Sequence, residues 1–152
     1  MNINIIAVGR IRSGPEKTLI ENYSRRIKWP IEFREVEEKK KLKGLELKKR
    51  QGDLLLNQCP PESKIIVLDQ CGKNLPSTEL ANVFKNWQGN RVKEVCMLIG
   101  GADGVDQDLR KKADLLLSFG QLTWPHMLAR VMLTEQIYRS QQIINGHPYH
   151  RE

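Results

Sequence analysis

The chain has 152 residues, 39% of them hydrophobic, and a formal net charge of +7. This length suits a single domain, residues 1–152, with a sizeable core, and the composition excludes a disordered chain. Met1 leads straight into Asn2–Val8, which lacks a basic leader and is too short and polar for a signal peptide or membrane span, so the expectation is a cytoplasmic protein with no membrane contact.

Cys59, Cys71 and Cys96 are odd in number and have no C-x-x-C spacing, which argues against a disulfide or a zinc site. The charge is uneven. Residues 1–60 carry 14 basic and 8 acidic side chains, a net +6, whereas residues 61–152 carry a net +1. A basic surface of this kind attracts polyanions such as RNA, although a solvated charge-rich helix accounts for it equally well.

Asn2–Val8 reads as a buried strand ended by Gly9. Ser13-Gly14-Pro15-Glu16 has capping-box spacing and Leu19, Tyr23 and Ile27 recur at i+4, which predicts a helix over about 15–28. Residues 31–37 alternate apolar and polar, the pattern of a strand with one wet face near a sheet edge. Lys39–Gly44 has no apolar period and reads as a mobile loop. A helix over about 45–58 follows, basic at its start and stopped by Pro60-Pro61.

Lys64–Asp69 is a continuous apolar strand of the kind buried on both faces in a parallel sheet, with Gln70–Lys73 as the loop at its end. Ser77 is placed to cap the next helix, where Leu80, Val83, Phe84 and Trp87 share one face; Trp87 is therefore a core residue rather than a base-stacking platform. Val95–Ile99 is the next buried strand, Val105–Lys112 a short helix and Leu115–Ser118 a last short strand. Pro125 opens a helix running to about Ile144 and ended by Gly146. Strands alternating with helices predict a three-layer α/β domain. The last helix is apolar on more than one side, which calls for a second burial partner and suggests a homodimer.

The candidate chemistry gathers between residues 95 and 130, where two apolar strands end in glycine and polar backbone, the arrangement that holds small ligands at the carboxyl edge of a sheet. Gly100-Gly101-Ala102-Asp103-Gly104 matches neither the dinucleotide fingerprint nor the P-loop. His126 follows a helix-opening proline beside the strand ends, a better place for a functional imidazole than most. The tail His147–Glu152 groups two imidazoles, a phenol and a guanidinium, which can stack on a base, pair with phosphate and take a proton. No Ser/His/Asp, H-E-x-x-H or paired-carboxylate pattern is present, so hydrolytic chemistry is not indicated.

Taken together, Leu68-Asp69, Leu98-Ile99-Gly100-Gly101 with Gly104, Leu122-Thr123-x-Pro125-His126 with Arg130, Glu135-Gln136-Ile137-Tyr138-Arg139 and the terminal Tyr149-His150-Arg151-Glu152 resemble the RlmH (YbeA-type) family of SPOUT methyltransferases along the whole chain. The resemblance implies a homodimer with a C-terminal trefoil knot, S-adenosylmethionine as methyl donor with S-adenosylhomocysteine as product, no metal, and N3 of a pseudouridine in large-subunit (23S) ribosomal RNA as the target. It also implies a donor pocket of Leu68, Gly100, Phe119, Gly120, Gln121, Leu122, Thr123 and Trp124, and a catalytic, RNA-facing group of His126, Arg139, Tyr149, His150 and Arg151, with the tail of one subunit completing the pocket of the other. The alternative from a different class is a non-catalytic RNA- or ribosome-binding module. A nucleotide-dependent oxidoreductase is disfavoured by the missing fingerprint.

Overall fold

The computed structural model describes residues 1–151. In chain order the elements are β1 (Asn2–Val8), α1 (Pro15–Arg26), β2 (Ile31–Val36), α2 (Gly44–Leu56), β3 (Lys64–Lys73), α3 (Ser77–Gly89), β4 (Glu94–Ile99), α4 (Gln107–Lys112), β5 (Leu115–Leu117) and α5 (His126–Ile144). The strands form one sheet in the order β2-β1-β4-β3-β5, with every pairing parallel. Parallel strands need helical crossovers that cover both faces, which is why β1 and β4 are almost uniformly apolar. β2, on an edge, is the exception: its residues alternate apolar and polar in sequence, yet only Val36 is buried and Phe33 is 38% exposed.

The core is split by the sheet. On one face Ile3, Ile5, Ile66, Met97 and Leu117 pack against Leu80 and Phe84 of α3 and Leu133, Ile137 and Tyr138 of α5, with α1 alongside. On the other, Ile6, Val67, Cys96 and Leu98 meet Leu55 of α2 and Leu109 of α4. These are the three layers that the alternation of elements predicts. Trp87 lies partly buried edge-on to Phe84, with ring centroids 6.3 Å apart, so it is core-facing as expected. All three cysteines are free thiols.

Several local details differ from what the sequence predicts. Gln70–Lys73 is not a loop: β3 continues through it, and a bulge lets both Leu68 and Lys73 pair with Leu117. At Gly72 an added Cβ would lie 2.7 Å from the backbone of Leu116, so only glycine lets the two strands approach this closely. Ser77 does not cap α3, because its hydroxyl donates to Gln136 Oε1 of α5 at 2.8 Å, tying the two helices together. Ser13 makes no cap either; Gly14 holds that position and its carbonyl accepts from Thr18 N. The short helix starts at Gln107, after Asp106, whose carboxylate accepts from Leu109 N at 3.1 Å. α2 ends at Leu56, before the two prolines.

The apolar surface of α5 finds its partners within the chain. The helix lies across the sheet between α1 and α3, and Ala129, Val131, Leu133, Ile137 and Tyr138 are all buried there. α1 and α3 thus supply much of the burial that its composition demands, while Leu128 stays 39% exposed and Met132 only half-buried.

Candidate functional site

Parallel pairing brings the carboxyl ends of all five strands to one edge. The register sets Leu68 of β3 beside both Ile99 of β4 and Leu117 of β5, so three strand ends form a row. Beyond that row opens a cavity of about 390 Å³, floored by Leu68, Ile99 and Leu117 and walled by residues 100–105 and by 119, 120 and 122–124. The volume is in the range of small-molecule sites.

The glycine loop forms one wall. Gly104 N donates to Gly101 O at 3.0 Å, closing a tight turn in which Gly104 takes φ +84°, a left-handed conformation costly for any residue with a Cβ. At Gly100, which lines the cavity, an added Cβ would lie 2.6 Å from Val105 Cγ1 and 3.1 Å from Gly104 O, so the loop closes this tightly only without a side chain there. The second wall is the run after β5. Buried Ser118 braces it by donating to Gln70 O or Gly120 O, at 3.3 and 3.2 Å, and by accepting from Gly120 N at 3.1 Å; Trp124 Nε1 donates to Phe119 O at 3.2 Å. These bonds leave Leu122 73% exposed, an apolar side chain standing open on the rim.

Seven of the eight donor-pocket residues expected from sequence line this cavity: Leu68, Gly100, Phe119, Gly120, Leu122, Thr123 and Trp124. Gln121 is the exception. It is exposed and lies outside the lining. His126, the first residue of α5, lines the cavity from the side of the helix N-terminus.

The other four residues of the expected catalytic group are elsewhere. Arg139 lies thirteen residues along α5 from His126, which at 1.5 Å per residue is roughly 20 Å and nearly the opposite helix face. It binds Glu135 Oε1 through Nε at 2.9 Å, and its Nη1 meets His150 Nδ1 at 3.2 Å. Tyr149 OH donates to the same Glu135 oxygen at 3.0 Å, and its ring meets Tyr138 edge-on with centroids 4.7 Å apart. Arg26 of α1 stacks over Tyr138 at 4.1 Å. The tail is thus folded onto α5 and α1 of its own chain. Burial, then hydrogen bonds with Tyr23 and Glu135, push the Tyr149 phenol above its ordinary range and keep it a neutral donor. Hydrogen bonding to Glu135 raises the Arg139 guanidinium in the same way. His150 Nε2 is buried with no partner, whereas Arg151 is exposed.

Lys48 and Arg110, which the sequence did not single out for the site, also line the cavity, as does Asp69 of the Leu68-Asp69 motif. Asp69 is a fixed strut, receiving Arg110 Nε at 2.8 Å and Cys71 N at 2.8 Å. One turn beyond His126, buried Arg130 donates to Glu35 Oε1 at 2.7 Å and to the carbonyls of Val8 and Gly9 at 2.9 and 2.6 Å. It clamps the start of α5 to the ends of β1 and β2. Its place in the Pro125-His126 motif was visible in the sequence, but its partners were not. Among the described residues, no group of three or more His, Cys, Asp or Glu side chains is arranged to hold a metal, and no helix is long and apolar enough to cross a membrane.

Fold and cavity together define a parallel α/β protein with a ligand-sized site at the carboxyl edge of its sheet, walled by a glycine loop and by the run after the last strand. The family described as "Predicted SPOUT methyltransferase" matches residues 1–150. Over 151 residues the chain is 48% identical to the ribosomal RNA large subunit methyltransferase H of Rhodospirillum centenum and 46% identical to that of Paramagnetospirillum magneticum, covering 99% of each chain in both cases. The protein of the same name from Zymomonas mobilis is 43% identical over 152 residues, which is 100% of this chain and 99% of its own. The chain belongs to the SPOUT methyltransferases, in their RlmH (YbeA-type) family. Among solved structures, a probable methylase family protein from Haemophilus influenzae superposes with a TM-score of 0.59 at 9% identity, over 99% of this chain and 71% of that one, a likeness of fold.

Proposed function

We propose that the protein transfers a methyl group from S-adenosylmethionine to N3 of a pseudouridine in 23S ribosomal RNA, on the assembled ribosome, as a cytoplasmic homodimer of one-domain subunits. The observation that carries this reading is the cavity at the ends of β3, β4 and β5, with bare backbone at Gly100 and apolar walls at Leu68, Leu117 and Leu122. Such a lining suits an adenine and a thioether, and it needs no metal. The names of the relatives at 43–48% identity support an RNA of the large subunit as the acceptor.

The bound donor supplies an electrophilic methyl on a sulfonium. The chain supplies alignment and proton handling. The methyl would pass to pyrimidine N3 as its bond to sulfur breaks and the thioether leaves, and the N3 proton would be taken by an imidazole, either His126 or His150. Arg139 or Arg151 offsets negative charge on the pyrimidine or a phosphate, and Tyr149 stacks or hydrogen-bonds. Because one chain holds His126 and its own tail on different faces of α5, the tail that joins a given cavity is that of a second protomer. A face for that protomer is at hand where Leu19, Tyr23, Phe119, Met132 and Glu135 border a further hollow of about 380 Å³. The C-terminal knot is part of this reading through the family; Ser118, bonded to Gln70 O and Lys73 O, lies where the last strand runs beside the end of β3.

Calorimetry with S-adenosylmethionine tests the reading: micromolar binding is expected, and a folded protein that binds none would leave the non-catalytic RNA- or ribosome-binding module in its place. The base assignment is tested separately with His126→Ala and His150→Ala. Wild-type turnover in both, with donor and ribosome binding intact, would exclude a histidine base.

A further inference from the structure

The cationic N-terminal half of the chain meets the cavity at one side chain, Lys48. α2 brings it there under tight constraint. A Cβ on Gly101 would lie 2.6 Å from Gln51 Oε1, and one on Gly52 would lie 2.8 Å from Asp106 Oδ1, so this face of α2 is packed against the 100–106 loop with no clearance. Lys48 lies one turn before Gly52 on the same face, and it lines the cavity together with the glycine loop and His126.

Among the described residues Lys48 makes no ion pair or hydrogen bond, although it is half-buried. Asp69, in the same cavity, is already held by Arg110. Asp103, the other carboxylate of the lining, points no oxygen within ion-pair distance of it. Upstream, Lys39, Lys40, Lys41 and Lys43 are all exposed, and they lead along the chain into α2. Exposed Leu122 and Trp124 flank the cavity mouth with apolar surface on which a base can rest.

We propose that Lys48 binds the RNA phosphate next to the target nucleotide, as the fixed inner end of a cationic path that begins at Lys39. A lysine ammonium is a compact point charge suited to a single phosphate, and each such contact releases counterions. This inference rests on the methyltransferase reading above, and its test separates the two.

Lys48→Met and Lys48→Arg are compared with Lys85→Met, which changes an exposed lysine of α3 on the other face of the sheet. The readouts are donor affinity by calorimetry, KM and kcat for methylation of ribosomes, and ribosome cosedimentation at graded salt. For Lys48→Met the expected result is a ribosome KM raised about tenfold, a salt slope reduced by about 1, and a donor Kd unchanged. Lys48→Arg restores most of the affinity and Lys85→Met behaves as wild type. An unchanged KM and salt slope in Lys48→Met overturns the proposal. So does a weakened donor Kd with normal ribosome binding, which would assign the lysine to the donor's carboxylate. If the wild-type protein binds no S-adenosylmethionine, the underlying reading fails, and cosedimentation still decides the role of Lys48.

Discussion

Gly72→Ala is the substitution to which the fold should be most sensitive for its size. Gly72 lies in the extension of β3 that passes against β5, and an alanine Cβ there would sit 2.7 Å from Leu116 C and O and 2.8 Å from Leu117 C. All three are backbone atoms, so no side chain can rotate away, and the strands must separate by close to an ångström to restore ordinary contact. The movement strains the Lys73–Leu117 pairing and the bond from Ser118 N to Lys73 O at 2.9 Å. Overpacking of a tight interior costs 1–3 kcal/mol, and with the obstacle being backbone the cost should fall near about 3 kcal/mol. Urea unfolding of Gly72→Ala beside Gly89→Ala measures it, since a Cβ on Gly89 meets nothing within 4 Å. Gly89→Ala should be neutral or gain up to about 1 kcal/mol. Donor binding should weaken in Gly72→Ala as well, because Leu68 and Leu117 floor the cavity. A Gly72→Ala protein within about 0.5 kcal/mol of wild type would refute the close-approach argument, since that is the scatter of an unremarkable surface change.

Arg130→Met should cost about 3–5 kcal/mol in the same unfolding assay, because it removes three hydrogen bonds from a side chain 3% exposed and leaves the carbonyls of Val8 and Gly9 without their donor; a loss under 1 kcal/mol would remove its role as a clamp. Asp106→Ala should cost about 1 kcal/mol by uncapping α4, with hydrogen exchange at Leu109 N reporting the loss of the bond. Tyr149 has its phenol raised above the ordinary value of 10, so its contribution to tail docking is complete below pH 10 and is lost as pH rises through the folded value. Ultraviolet titration of the three tyrosines should show a late-ionising phenol that Tyr149→Phe removes, and ordinary titration of all three would contradict the docked tail.

The strands and their common carboxyl edge were legible because buried parallel strands leave uninterrupted runs such as Val95–Ile99, and because glycine marks where each run stops. Seven of the eight residues expected around the donor line the cavity because they lie at or just after those stops, whereas Gln121 does not. Less visible was everything set by pairing between distant segments. Gln70–Lys73 has the composition of a loop, yet it is held as strand by Leu117, a partner some fifty positions away in the sequence. Ser77 has the right chemistry for a cap, but Gln136 competes for its hydroxyl. Lys48 looked like one lysine in a solvated run, and its place in the cavity lining depends on how closely α2 packs against the 100–106 loop. The tail residues were recognisable as chemistry. Their attachment to Glu135 and Tyr138, away from His126, depends on how α5 lies across the sheet.

The most direct measurement is methyl transfer from labelled S-adenosylmethionine to intact ribosomes and to free 23S ribosomal RNA, followed by mapping of the modified nucleotide. The expected result is one methyl group per large subunit, on N3 of a pseudouridine, with the assembled ribosome as the better substrate. No transfer by a folded protein that binds the ribosome, or transfer to a different atom, would contradict it.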